Sequence, residues 1–289
     1  MTIKYFDKVS PMPESHSMPI DEHPIPPSTG QLLKELPCAA REFMQLNQRR
    51  WRKQLDAIPV GDGHPVMTLP GFGGGDGSMA VLRRFLEKKD YQALPWGLGT
   101  NFTNDRVTTM DSVLDFCRQK EADIVEQLHQ ITDKTGEKVS LIGWSLGGVY
   151  ANSIAQTHPE LVRQIITLGS PIGDPRGTST WNILKKMNRS DVPDEEQNVD
   201  GWLARKQDLG NRKVRTSILY SLRDGAVSKG SAVIEGHPMV ENIEVSSSHV
   251  GFAHNPLVYY IIAERLSQDL NDWKSYRDHA LPPFIRKNM

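Results

Sequence analysis

The sequence predicts an α/β protein in which a mostly parallel central sheet is flanked by helices and carries a short lid insertion. Three observations point there. Residues 139 to 150 read Val-Ser-Leu-Ile-Gly-Trp-Ser-Leu-Gly-Gly-Val-Tyr, an apolar strand that meets Gly-x-Ser-x-Gly and passes at once into a helix-compatible segment. Strand-like and helix-like segments alternate on both sides of this stretch, the rhythm that builds a parallel sheet covered by helices. The 289 residues suffice to bury one substantial core, and they fit one domain with insertions better than two equal domains.

Composition narrows the partners. With 34 basic and 35 acidic residues and a net charge of -1, no overall field favours nucleic acid, so a small molecule is the expected partner. Cys38 and Cys117 are the only cysteines; they lack metal-like or CxxC spacing and are too few for a disulfide framework. The first twenty residues have no apolar run of signal-peptide length, and no stretch reaches the roughly eighteen apolar residues of a membrane span. A cytoplasmic protein is therefore expected.

Residues 1 to about 30 carry prolines at 11, 13, 24, 26 and 27 and few apolar groups, the composition of an extended arm. From Gln31 to Ile58 the composition turns helical, with Phe43, Met44, Trp51 and Leu55 among basic residues. Residues 1–58 are thus read as an arm plus amphipathic helix, and residues 59–289 as the catalytic domain. The basic aromatic stretch at 41–56 suits peripheral membrane contact, and it equally suits a helix packed on the core with a solvated basic face.

His64 to Leu69 is a short apolar strand that runs into Pro70-Gly71-Phe72-Gly73-Gly74-Gly75-Asp76-Gly77, and Ser78 starts a helix. The glycines match neither the Walker spacing nor a dinucleotide fingerprint. Beside a nucleophile elbow, such a loop supplies an oxyanion-binding amide from the residue after Pro-Gly, which is Phe72. Tyr91 to Trp96 reads as a strand, Asp111 opens a long helix, and Gly136 stops it. Next comes the elbow, with Ser145 as candidate nucleophile. His158 sits at the far end of the following helix and reads as structural. Val162 to Leu168 is a strand. Periodicity then lapses from about 175 to 211, where a lid would sit; its scattered aromatics, Trp181 and Trp202 included, would line an acyl pocket or form a small core of their own.

A serine hydroxyl needs a base to take its proton, and the base needs a carboxylate to fix its tautomer. Val214 to Ser221 is a strand whose exit loop offers Asp224, with Asp174 as the rival acid. Val240 to Val245 is the last strand, and His249 follows it through three serines; His254 lies at the start of the closing helix, where it caps or packs.

These pieces together, Leu69-Pro70-Gly71-Phe72-Gly73-Gly74, Gly143 to Gly148, Tyr220 to Val227 and Ser248 to Gly251, resemble the α/β-hydrolase superfamily and its bacterial lipase-like and esterase-like branch. The resemblance spans residues 65 to 256. It implies Ser145, Asp224 and His249 as a triad, the amides of Phe72 and Leu146 as the oxyanion hole, and neither metal nor organic cofactor. The loop lacks the His-Gly start common in esterases, and residues 1–58 lie outside the likeness. The expected activity is hydrolysis of a carboxylic ester with a lipophilic acyl group, the substrate being a small-molecule ester or a lipid. An acyltransferase on the same groups, or a binding protein that keeps the fold without turnover, is the alternative.

Overall fold

A computed structural model of the chain describes residues 24–103, 110–179, 181 and 212–276. Most of the segment read as a lid, 180 and 182–211, and the first 23 residues of the arm lie outside the described residues.

Six strands, β1 (Pro65–Leu69), β2 (Gln92–Pro95), β3 (Val139–Trp144), β4 (Val162–Leu168), β5 (Arg215–Tyr220) and β6 (Val240–Glu244), form one sheet. Its order is β2-β1-β3-β4-β5-β6, and all five pairings are parallel. The inner strands are buried on both faces, which is why they are near-continuous apolar runs and not alternating ones. Side chains still alternate between two cores. Val66, Ile142 and Ile166 point into one, Met67, Leu141 and Ile165 into the other.

Helices α4 (Ala80–Glu87) and α8 (Pro256–Leu266) cover the first face, with α3 (Arg49–Asp56) against α8. Helices α5 (Met110–Thr135) and α6 (Leu146–Thr157) cover the second. A four-residue helix, α7 (Lys229–Ala232), follows the acid loop. Gly136, at φ +74°, ends α5 with its amide on Thr132 O at 2.8 Å, the left-handed stop that a glycine allows without a Cβ clash.

The single helical stretch expected at 31–58 is three helices: α1 (Thr29–Leu33), α2 (Glu35–Leu46) and α3. Pro37 explains the first break, because its ring would strike the carbonyl four residues back in a continuous helix but fits the first turn of a new one. Asn47 makes the second, where its side-chain amide donates to Phe43 O at 3.0 Å. Trp51 and Leu55 face inward and are buried, while Arg49, Arg50, Arg52 and Lys53 are exposed. Phe43 and Met44 remain largely exposed. Trp181, from the scattered aromatics, packs into the body with Val149, Ile172 and Ile218. Among the described residues, no helix is long and apolar enough to cross a membrane.

The strand order places the functional region. The chain leaves β1 toward β2 on one side and returns to β3 on the other, so the order reverses between β1 and β3. At such a reversal the loops leaving the two strands diverge and open a crevice. Leu69 pairs with Gly143, which sets the glycine-rich loop beside Ser145.

Candidate active site

Ser145 sits between β3 and α6 at φ 53°, ψ -120°. Among the described residues only Asp90 shares a positive φ without being glycine. Such a conformation costs on the order of 1–3 kcal/mol and persists only where neighbours hold it. Here the Ser145 amide donates to Leu168 O at 2.9 Å and its carbonyl accepts from Gly148 N at 3.0 Å. A Cβ on Gly143 would lie 2.3 Å from Gly148 Cα; strand and helix touch there, and the turn stays tight only without that atom.

His249, in the loop after β6, lies with Nε2 3.0 Å from Ser145 Oγ. Its Nδ1 is 2.9 Å from Asp224 Oδ2. A carboxylate only accepts, so Nδ1 carries the proton and Nε2 receives the serine hydroxyl. The other Asp224 oxygen accepts from the amides of Ala226 (2.7 Å) and Val227 (2.8 Å), and these bonds fix the acid's orientation. Trp144 Nε1 donates to His249 O at 2.9 Å and anchors the histidine backbone to β3. Burial opposes an imidazolium at His249. The charge and hydrogen bond of Asp224, with the charge of Glu35, more than offset it and raise His249 above the ordinary imidazole value.

The loop after β1 closes the other side. A Cβ on Gly71 would come within 3.0 Å of Ser145 Cβ, so the Phe72 amide begins one residue from contact with the serine. Neither the Phe72 nor the Leu146 amide donates to an acceptor among the described residues. Leu146 is the first residue of α6, where an amide has no carbonyl a turn earlier to donate to. Asn101 pins this loop: its side chain donates to Pro70 O (2.8 Å), its carbonyl accepts from Gly73 N (2.7 Å), and Tyr150 OH holds its side-chain oxygen at 2.9 Å. Burial pushes the Tyr150 phenol well above its ordinary value, so it stays a neutral donor. Phe72 and Phe102 stand exposed with ring centroids 5.5 Å apart.

The rival residues are engaged elsewhere. Asp174 caps a short 3₁₀ turn and pairs with Arg176 at 2.6 Å. His254 packs edge-on against Phe43, with ring centroids 5.5 Å apart, and burial lowers its pKa. His158 ends α6 beside Glu160, 3.3 Å away.

A second carboxylate–histidine–serine string exists: Asp62 contacts His64 Nδ1, and His64 Nε2 lies 2.8 Å from Ser140 Oγ. It lies at the opposite, amino edge of the sheet. Ser140 and His64 are buried, and Ser140 belongs to the strand itself. Burial also lowers the His64 pKa, with the charge of Arg163 acting in the same direction and Asp62 acting against it.

Two further groups near the site carry no local sequence signal. Glu35 and Glu42 of α2 are buried against the loops that bear Asp224 and His249. Burial raises the Glu42 carboxyl above its ordinary value despite hydrogen bonds from Ser248 and Ser247. Among the described residues, no cluster of three or more metal-ligating side chains occurs.

Residues 66–215 match the alpha/beta hydrolase fold family. That span includes Phe72, Ser145 and Leu146 and ends before Asp224 and His249. Serine hydrolase BPHL of Mus musculus is 32% identical over 116 residues, 38% of this chain and 38% of that protein. Pimeloyl-(acyl-carrier protein) methyl ester esterase of Aliivibrio fischeri is 43% identical over 68 residues, covering 23% of this chain and 25% of that protein. The chain thus aligns with well under half the length of these curated relatives. The mature lipase BlEst2 of Bacillus licheniformis superposes with a TM-score of 0.51 at 17% identity, over 73% of this chain and 95% of that one, a likeness of fold.

Proposed function

The chain belongs to the alpha/beta hydrolase fold family, and on that premise we propose that it is a serine hydrolase that cleaves carboxylic esters. The observation that carries this reading is the run from Ser145 Oγ through His249 to Asp224, at 3.0 and 2.9 Å, with Ser145 on a strained turn.

In this mechanism Ser145 Oγ attacks the ester carbonyl while its proton passes to His249 Nε2. Asp224 stabilises the imidazolium and keeps the ring oriented. The carbonyl oxygen becomes an oxyanion held by the Phe72 and Leu146 amides, each such donor supplying about 10²–10³ in kcat. His249 returns the proton to the departing alcohol, which leaves the acyl group on Ser145. Water then loses a proton to His249 as it attacks, and the carboxylic acid departs as Ser145 recovers its proton. No step calls for a metal or an organic cofactor. The exposed rings of Phe72 and Phe102, with centroids 5.5 Å apart on the loops after β1 and β2, favour a lipophilic acyl group.

An active-site fluorophosphonate tests the reading. The wild-type chain is expected to be labelled and Ser145→Ala is not; equal labelling of both would remove Ser145 from its role.

A further inference from the structure

Helix α2 lies outside the family match yet bonds four residues of the loops that bear Asp224 and His249. Glu35, its first residue, is 6% exposed. One carboxylate oxygen accepts from Gly225 N at 2.7 Å and the other from Val250 N at 3.0 Å. Gly225 follows Asp224 and Val250 follows His249, so a single side chain bridges the residues next to the acid and next to the base. Glu42 stands seven residues further on, two turns along the same helix face, and is 2% exposed. It accepts from Ser248 N at 2.9 Å, Ser248 Oγ at 3.1 Å and Ser247 Oγ at 3.3 Å. The histidine is therefore bracketed, Ser248 held by Glu42 on one side and Val250 by Glu35 on the other.

The fit leaves no slack. A Cβ on Gly251 would fall 1.4 Å from Glu42 Oε2, so the loop can approach this carboxylate only through a glycine. A buried charge costs heavily unless hydrogen bonds satisfy it. Here two carboxylates spend their acceptor capacity on main-chain and hydroxyl donors of the catalytic loops. A helix needed only for packing would present apolar side chains to that surface.

We infer that Glu35 and Glu42 are positioning residues for the proposed ester hydrolysis, a two-point clamp by which α2 holds the Asp224 and His249 loops in register. The inference rests on the reading of Ser145, His249 and Asp224 as the reacting groups. The two carboxylates differ in one respect. The charged groups acting on His249 are Asp224 from the loop after β5 and Glu35 from α2, while the Ser145 hydroxyl and the Trp144 ring face it from the elbow and β3. Glu42 reaches the loop backbone instead.

The test uses the full chain with a p-nitrophenyl ester, reading kcat, KM and the pH profile of kcat/KM for wild type, Glu35→Gln and Glu42→Gln. A misplacement of about 1 Å in a catalytic group lowers rate about a hundredfold, so each variant is expected to lose about tenfold to a hundredfold in kcat with little change in KM. The acid limb of Glu35→Gln is expected to move to lower pH, because a negative charge that favours imidazolium is gone. The limb of Glu42→Gln is expected to stay in place. Folded variants with wild-type kcat and an unmoved acid limb would overturn the clamp. Should a glutamine variant fail to fold, Glu35→Asp and Glu42→Asp, which keep the charge but shorten the reach, are expected to lose kcat with the limb unmoved; wild-type kcat in both overturns it equally. A wild-type chain that neither hydrolyses the ester nor takes the fluorophosphonate removes the hydrolase reading and the clamp with it, which separates that failure from failure of the clamp alone.

Discussion

Among the described residues, two serines sit at hydrogen-bond distance from a histidine that in turn contacts an aspartate, and only one of the two has surroundings that suit the proposed attack on an ester. Ser140 lies in a strand, fully buried, with no room for a substrate carbonyl. Ser145 is partly exposed on a strained turn, beside amides with no partner among the described residues. Ser140→Ala is accordingly expected to keep fluorophosphonate labelling and to cost about 1 kcal/mol for the lost hydrogen bond, read by chemical denaturation; loss of labelling with the fold intact would make the buried string functional. With His249 as the proposed base, the pH dependence of activity follows its titration. A base works only unprotonated, and its pKa is raised by Asp224 and Glu35 against the effect of burial. As pH falls through that raised value the imidazole takes a proton and activity drops, so the acid limb of kcat/KM is expected above the ordinary imidazole value of about 6.5. A limb well below it would mean that burial prevails over the carboxylates. Ser145, Asp224 and His249, the proposed triad, stand out in the sequence because each follows an apolar strand at one sheet edge. Glu35 and Glu42 do not, since periodicity reveals which face of a helix is apolar and never which amides, 190 to 215 residues away, a carboxylate will meet.

At the scale of elements, strands are the most legible. β4 matches its expected bounds at Val162 to Leu168, and β1, β2, β5 and β6 depart from theirs by one residue at one or both ends, because buried parallel strands are continuous apolar runs with glycine or polar residues beyond them. Helix ends near the N-terminus were harder. One amphipathic composition covers α2 and α3, and the break between them depends on Asn47 turning back to Phe43, a local competition that composition does not register. α3 packs on the body through its inward face: Trp51 and Leu55 join the core shared with Val258, Tyr259 and Ile262 of α8. Truncating a buried aromatic removes its transfer energy and leaves a cavity, so Trp51→Ala is expected to destabilise the chain by about 3–5 kcal/mol. Denaturant unfolding measures this, and a change under about 1 kcal/mol would mean that α3 only rests on the surface.

For the molecule as a whole, the proposed hydrolysis places substrate where strand order reverses between β1 and β3, and the apolar surface on the loops at that edge of the sheet would select it. Three separate loops at the carboxyl ends of strands bring large apolar side chains to the surface. Phe72 follows β1, Phe102 follows β2, and Leu222 follows β5; all are more than half exposed. Side chains of this size in water, on loops that converge at one sheet edge, form a surface that an acyl chain would cover. Burying a methylene is worth about 0.8 kcal/mol, which is about fourfold in kcat/KM for each carbon that makes full contact. Across p-nitrophenyl acetate, butyrate and octanoate, kcat/KM is therefore expected to rise steeply, by less than the full factor wherever the chain stays half solvated. Phe72→Ala keeps the main-chain amide but removes the ring, so it is expected to lower octanoate turnover more than acetate turnover. If acetate is the best ester, or if the variant weakens all three equally, these aromatics do not contact the acyl group and the lipophilic reading of the substrate fails.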